Sequence, residues 1–267
     1  MPSSVTRRLF LAAAGAAAGA VGARSFPAAA GPTLKLVHDP YPPYVDDSLP
    51  RGGLATDIAT TVLERAGFAA EVALVPWARA LQGAGDGVYD AMLSAWYTPE
   101  RDRLLAFSES YAVNRVRFVA ARGREPKNAA PEHLAGLRIG VVRGYAYEPA
   151  FMARTDLVRE EVRDLVHALQ MVAAGRLDLA LEEERVARHT IAVRAPELAD
   201  KLVFLDPPLS ENGMRLAVSR RRPDHAEIVS RFNGTLVLAQ ADGTLAEIYR
   251  RHGFQAEARR GGGLRRD

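Results

Sequence analysis

The feature that most limits the fold of this chain is a repeated alternation of short apolar runs with amphipathic segments of helix length. Leu34-Lys35-Leu36-Val37-His38 reads as a strand. After a Pro-rich turn, a helix is capped at Thr56 or Asp57, carries the stripe Ile58, Val62, Leu63 and Ala66, and stops at Gly67. Residues 71–75 read as a strand, 77–84 as a helix and 90–94 as a strand. The pattern then restarts, with strands over 117–121, 137–142, 158–162 and 177–181 and helices over 147–153, 165–174 and 182–193. Strands over 202–205 and 214–218 and helices over 223–239 and 244–251 close the chain. Strands that alternate with helices bury a mainly parallel sheet under helices, so the class is α/β.

The two rounds of alternation suggest two units, and the final segment is too small to stand alone. Its natural place is back on the first unit. The chain then crosses between units twice, near residues 112–115 and near 205–211. Two crossings make a hinge, and the cleft between two units is where a ligand is enclosed. The expected division is an export signal at 1–30, a first lobe at 31–112, a second lobe at 113–207, a return segment at 208–255 and a disordered tail at 256–267.

Composition narrows the function. Thr6-Arg7-Arg8-Leu9-Phe10-Leu11 opens a Leu/Ala/Gly run that ends at Ala28-Ala29-Ala30. That run is too short and too rich in Ala and Gly for a permanent membrane span, and it resembles a twin-arginine export signal cleaved after Ala30. The formal charge is +3, and Arg7, Arg8 and Arg24 supply that surplus within a segment that has no acid. The remainder is near neutral, which argues against nucleic acid as a partner. The absence of Cys excludes disulfides and thiolate metal sites. Six scattered His show no metal-ligand spacing. There is no phosphate-binding loop, dinucleotide fingerprint or nucleophile elbow. No metal, cofactor or catalytic residue is therefore expected. Only Lys35, Lys127 and Lys201 break an otherwise all-Arg set of 35 basic residues, so a single Arg is informative here only through its position.

One position stands out. In residues 89–111 the apolar run Ala91–Ala95 ends in a turn that carries Trp96, Thr98 and Arg101. A strand that ends in aromatic, hydroxyl and guanidinium groups is a common way to build a ligand cleft. Guanidinium matches carboxylate in two parallel hydrogen bonds, and partial desolvation strengthens that pair. Ser94 and Thr98 are candidates for hydroxyl donors or for turn stabilisation. Tyr41, Tyr44, Trp77 and Trp96 are candidates for aromatic walls or for core packing. Gly144 and Tyr145 open a segment whose backbone N–H groups suit an anion. Glu183 lies in Glu182-Glu183-Glu184, which also suits a helix start.

The order of motifs resembles the bacterial family-3 extracellular solute-binding proteins across about 33–255. It is carried by Tyr41-Pro42-Pro43-Tyr44, Gly53-Leu54-Ala55-Thr56-Asp57-Ile58, Gly87-Val88-Tyr89-Asp90-Ala91 and Thr98-Pro99-Glu100-Arg101. Phe107-Ser108-Glu109-Ser110-Tyr111, residues 134–141, Gly175-Arg176-Leu177-Asp178 and Asp242-Gly243-Thr244 continue it. The resemblance implies a two-lobed periplasmic-binding-protein type II fold, each lobe an open mixed sheet flanked by helices. It implies a monomer in the periplasm that captures an amino acid or related carboxylate for the membrane permease of an ABC-type importer. Arg101 would bind the ligand carboxylate, and Glu183 its ammonium group. Two alternatives share the scaffold: a free-standing sensory module, and an enzyme similar to cyclohexadienyl dehydratase with Glu182 or Glu183 as general acid.

Overall fold

The computed structural model describes residues 31–143 and 147–259. The expected export signal, Gly144, Tyr145 and the chain from 260 onward lie outside the described residues. The elements run in the order β1 (Thr33–His38), α1 (Leu54–Arg65), β2 (Ala69–Leu74), α2 (Trp77–Asp86), β3 (Ala91–Ala95), α3 (Pro99–Asp102), β4 (Leu105–Phe107) and β5 (Ala112–Ala121). Then follow β6 (Arg138–Val142), α4 (Pro149–Ala153), β7 (Val158–Val162), α5 (Leu165–Ala173), β8 (Leu179–Glu183), α6 (Glu184–Arg194) and β9 (Leu202–Phe204). The chain closes with β10 (Ser210–Ser219), α7 (His225–Ala241), α8 (Thr244–Arg251) and α9 (Gln255–Arg259).

The strands lie in the order β2-β1-β3-β10-β5-β8-β6-β7, with β4 also on β10 and β9 on β5. Within β1, β2 and β3 the pairing is parallel, as it is within β6, β7 and β8. Every pairing made by β5 and β10 is antiparallel. The sheet is therefore mixed, where the alternation by itself suggests mainly parallel. The reason lies in two long strands. Residues 112–116 of β5 pair with 210–214 of β10, and beyond that register each strand goes its own way. β5 continues against β8 and β9, while β10 continues against β3 and β4. Asn114, Arg115, Glu211 and Asn212 give these stretches a loop-like sequence, yet pairing satisfies their backbone groups. Two smaller differences follow from packing. Glu182 and Glu183 end β8, with α6 starting at Glu184 and Glu183 as its cap, and Gln255–Arg259 is helical where a disordered tail from 256 was expected.

Three apolar clusters are buried among the described residues. Ile58, Val62 and Leu63 of α1 pack in one cluster with Leu34 and Leu36 of β1 and Phe232 and Leu236 of α7. The return of α7 to α1 and β4 is the tertiary contact that places the last segment beside the first set of strands. A separate cluster holds Phe118, Ile139, Leu179 and Leu181 with Phe151 of α4. Each such side chain contributes roughly 1.5–3 kcal/mol of burial. Among the described residues no helix is long and apolar enough to cross a membrane.

A buried carboxylate fixes how α1 meets the C-terminal helices. Asp57 is fully buried in the first turn of α1. Its Oδ1 accepts from Arg51 Nε at 2.5 Å, and its Oδ2 accepts from Arg251 Nη1 at 2.7 Å and faces His252 Nε2 at 3.0 Å. Burial opposes the charge, but hydrogen bonds from Arg51, His252 and Arg251 overcome it and hold the carboxyl below its ordinary range. The stability this gives is present above the ordinary carboxylate pKa and is lost as pH falls through the lowered value. Asp57→Asn should therefore cost about 3 kcal/mol near neutral pH. Urea unfolding at pH 7 and pH 4 tests it: an unchanged midpoint at pH 7 would remove Asp57 from the forces that hold α8 in place.

Candidate functional site

β1, β2 and β3 are parallel, so their C-terminal ends share one edge of the sheet, the edge where open α/β sheets bind ligands. Past that edge β1 runs into His38 and Asp39, β2 into Trp77, and β3 into Trp96 and Arg101. Local chemistry shapes the last of these. Thr98 is extended, and its Oγ1 accepts the Arg101 N–H at 3.2 Å, while Pro99 occupies the first helical position of α3. Thr98 thus serves as the helix cap. One turn later Arg101 is half-buried, its Nη1 donating to the Trp96 carbonyl at 2.9 Å. Its Cζ stands 5.1 Å from the centroid of the Trp77 ring. No carboxylate partners Arg101 among the described residues. Burial disfavours its charge, Glu100 offsets this in part, and the net pKa shift is downward. A guanidinium in that state gains from an anion.

Aromatic rings line the same edge. Trp77 meets His38 edge-on at 5.6 Å, and Tyr41 stacks on Tyr44 at 5.7 Å. Tyr41, Trp77 and Trp96 are half-buried, whereas Tyr44 is 1 % exposed. Arg79, one helical residue on from Ala78, is exposed to solvent. Ser94 is buried beside the Tyr111 hydroxyl and so packs inward. Two residues at this edge escaped the sequence reading. His38 Nε2 lies 2.9 Å from the Ser94 carbonyl, and its Nδ1 lies 3.0 Å from the Asp39 carboxylate, which is half-exposed. Their place at the end of β1, just before the Pro-rich turn, was the available signal.

Trp96 faces across the sheet. Its Nε1 donates to Asn114 Oδ1 on β5 at 2.7 Å, and its ring packs against the Phe118 and Leu181 cluster. A cavity of about 140 Å³ lies against it, lined also by Tyr97, Ser110, Gly213 and Arg215. Arg101 is not part of that lining, so the cavity and the guanidinium are separate features.

Glu183 is placed otherwise than the resemblance implies. It is 1 % exposed, at the end of β8. Oε1 accepts the Tyr44 hydroxyl at 3.0 Å and the Arg115 N–H at 3.3 Å. Oε2 accepts the Arg185 and Val186 N–H groups at 2.8 and 2.9 Å, which caps α6. In this conformation the carboxyl serves the protein and is not offered to a ligand. Its neighbour Glu182 is 4 % exposed, with Oε1 accepting the Glu183 N–H at 2.8 Å and Oε2 buried without a partner. Burial pushes Glu182 up to about 8, with the charge of Glu183 acting in the same direction. Burial pushes Glu183 up to about 7 against the lowering effect of its hydrogen bonds.

Both carboxyls are raised, so between their ordinary value of 4.5 and about 8 the folded state holds protons that the unfolded chain has released. Their contribution to stability is full below that ordinary value and is lost as pH rises through 7 to 8. Glu182→Gln keeps the Oε1 acceptor and cannot ionise. The fall in Tm from pH 5 to pH 8 should shrink by several degrees in this variant, at roughly 2–4 °C per kcal/mol. An equal fall in both proteins would contradict the burial argument.

No curated protein matches the sequence at a significant level. Solved structures do resemble it. An arginine-binding protein from T. maritima is 18 % identical with a TM-score of 0.65, covering 84 % of this chain and 95 % of its own. A histidine kinase sensor domain with similarity to periplasmic binding proteins is 22 % identical, with a TM-score of 0.67 and coverage of 82 % and 95 %. An ancestral amino-acid-binding protein, a precursor of cyclohexadienyl dehydratase, is 22 % identical, with a TM-score of 0.64 and coverage of 82 % and 94 %. At these identities the similarity shows the fold, the periplasmic-binding-protein type II arrangement. The sequence itself decides the family: residues 34–255 match the bacterial extracellular solute-binding proteins, family 3, and the chain belongs to that family.

Proposed function

We propose that this protein captures a small carboxylate-bearing solute in the periplasm and hands it to the permease of an ABC-type importer. The observation that carries the reading is Arg101: a half-buried guanidinium without a carboxylate partner among the described residues, set between the Trp77 ring and the Trp96 carbonyl. The amino-acid-binding proteins of the same fold support the ligand class. The expected export signal and the membership of an extracellular family support the compartment. β5 and β10 are the crossings at which closure over a ligand would bend the molecule, and contacts from both sides of the crossings link binding to closure.

Micromolar capture needs about −8 kcal/mol. A desolvated guanidinium–carboxylate pair contributes roughly 1.5–3 kcal/mol, and burial of an apolar body against Tyr41, Trp77 and Trp96 supplies the larger share. An enzyme on the scaffold is disfavoured by the placement of Glu182 and Glu183. Both are shut away from solvent, so neither acid is poised to protonate a substrate.

Thermal-shift screening against amino acids and small organic acids tests the reading. At least one acid should raise Tm, and Arg101→Ala should weaken its binding about a hundredfold, equal to ~2.8 kcal/mol. A panel without any specific shift, or a shift untouched by Arg101→Ala, would sink the proposal.

A further inference from the structure

β6, β7 and β8 are parallel, and Glu183 stands on their C-terminal edge, the counterpart of the edge that carries Arg101. A carboxylate on that edge with charge to spare would attract a cationic group of a ligand. The structure fills it from within. Tyr44 comes from the turn after β1, on the other side of the β5 and β10 crossings, and donates its hydroxyl to Glu183 Oε1 at 3.0 Å. The turn that delivers Tyr44 is tightly held. The Ala55 N–H donates to the Tyr44 carbonyl at 2.9 Å. Gly53, at φ 93°, leaves room for that carbonyl, which an added Cβ would approach to 2.5 Å. The Tyr44 ring is fixed between Tyr41 and Phe254, each 5.7 Å away between centroids.

Asn114 faces Tyr44 and accepts from Trp96 Nε1 at 2.7 Å, and the Trp96 carbonyl accepts from Arg101 at 2.9 Å. A line of polar contacts thus joins Arg101, Trp96 and Asn114, and Asn114 lies beside the separate pair of Tyr44 and Glu183. An ammonium group that took Glu183 would expel Tyr44 from it and leave a buried hydroxyl to find a new partner, a cost set directly against the ion pair gained. Asp39, the other acid beside the rings, is half-exposed and faces His38 at 3.0 Å, so it offers only a carboxylate shared with water.

Resting on the reading of a carboxylate-capturing cleft, we propose that Tyr44 sets the ligand class: the site takes carboxylates that lack an α-ammonium group, with Arg101 as the charged anchor. The hydroxyl of Tyr44 occupies the position at Glu183 that a ligand ammonium would need.

Titration calorimetry with matched pairs tests this: L-phenylalanine against 3-phenylpropionate and L-phenyllactate, L-leucine against 4-methylpentanoate, and L-glutamate against glutarate. In the parent protein, the des-amino member of at least one pair should bind about tenfold tighter than its amino acid. Tyr44→Phe should open the Oε1 position that the hydroxyl holds and bring that pair to within about threefold, and Arg101→Ala should weaken both members about a hundredfold. Equal affinity within the binding pair, or preference for the amino acid, overturns the assignment of Tyr44 while binding weakened in Arg101→Ala leaves the carboxylate cleft standing. If no member binds in an Arg101-dependent way, the cleft itself is refuted. The parent comparison decides the matter even if Tyr44→Phe does not fold.

Discussion

Everything else in this molecule depends on one stretch of antiparallel pairing, residues 112–116 against 210–214. Two parallel three-stranded sets flank it, and among the described residues no strand of one set pairs with a strand of the other except through β5 and β10. A parallel set needs crossover helices on its faces, so each set brings its own helices. The antiparallel pair needs none, and it lets the chain leave one set and return to it. The polar side chains along the pair are held as well: Arg115 Nε donates to Glu211 Oε1 at 2.8 Å across paired positions. The two edges that carry Arg101 and Glu183 are brought opposite each other because of this pairing.

The buried charges show how the molecule separates structure from binding. Asp57 is buried and fully served, by two guanidinium groups and an imidazole, and it holds helices together. Glu183 is buried and served by one hydroxyl and three backbone N–H groups, and it holds a cap and a contact across the crossings. Among the described residues Arg101 is partly desolvated and receives a carbonyl and a ring face, with the Glu100 charge offsetting its burial in part. Of these three it alone is left with charge to offer. The same burial that destabilises an unsatisfied ion makes it a strong anchor once an anion arrives. Trp96 sits between the two roles, its carbonyl serving Arg101 and its indole reaching Asn114 on β5. A ligand that moves Trp96 therefore acts on the crossing strands as well as on the cleft.

Much of this was legible in the chain. The periods of Ile58, Val62 and Leu63 predicted α1, and the run from Ala91 predicted β3 within one residue. The turn after β3 was read as carrying Thr98 and Arg101, but the short helix that Thr98 caps was not read, although a capping hydroxyl followed by a proline is a local signal. The full length of β5 and β10 was not legible, since Asn114, Arg115, Glu211 and Asn212 carry no strand pattern and gain their hydrogen bonds from a partner a hundred residues away. For the same reason Glu182 and Glu183 read as a helix start, though their partners place them at a strand end. His38 and Asp39 were passed over because a single imidazole and a single carboxylate have no spacing to read.

The sequence by itself determined the α/β alternation and the family, because these rest on contacts within a few residues or on motifs in linear order, whereas the cap expected at Thr56 or Asp57 lies inside α1, which starts at Leu54 after Gly53. The tertiary structure decided which charges are free. Whether Arg101 has a carboxylate beside it, and whether Glu183 meets Tyr44 or solvent, depends on groups 139 positions apart in the case of Tyr44 and Glu183. Burial and partner are properties of a place in space, and both are fixed only when the two sets of strands are joined through β5 and β10.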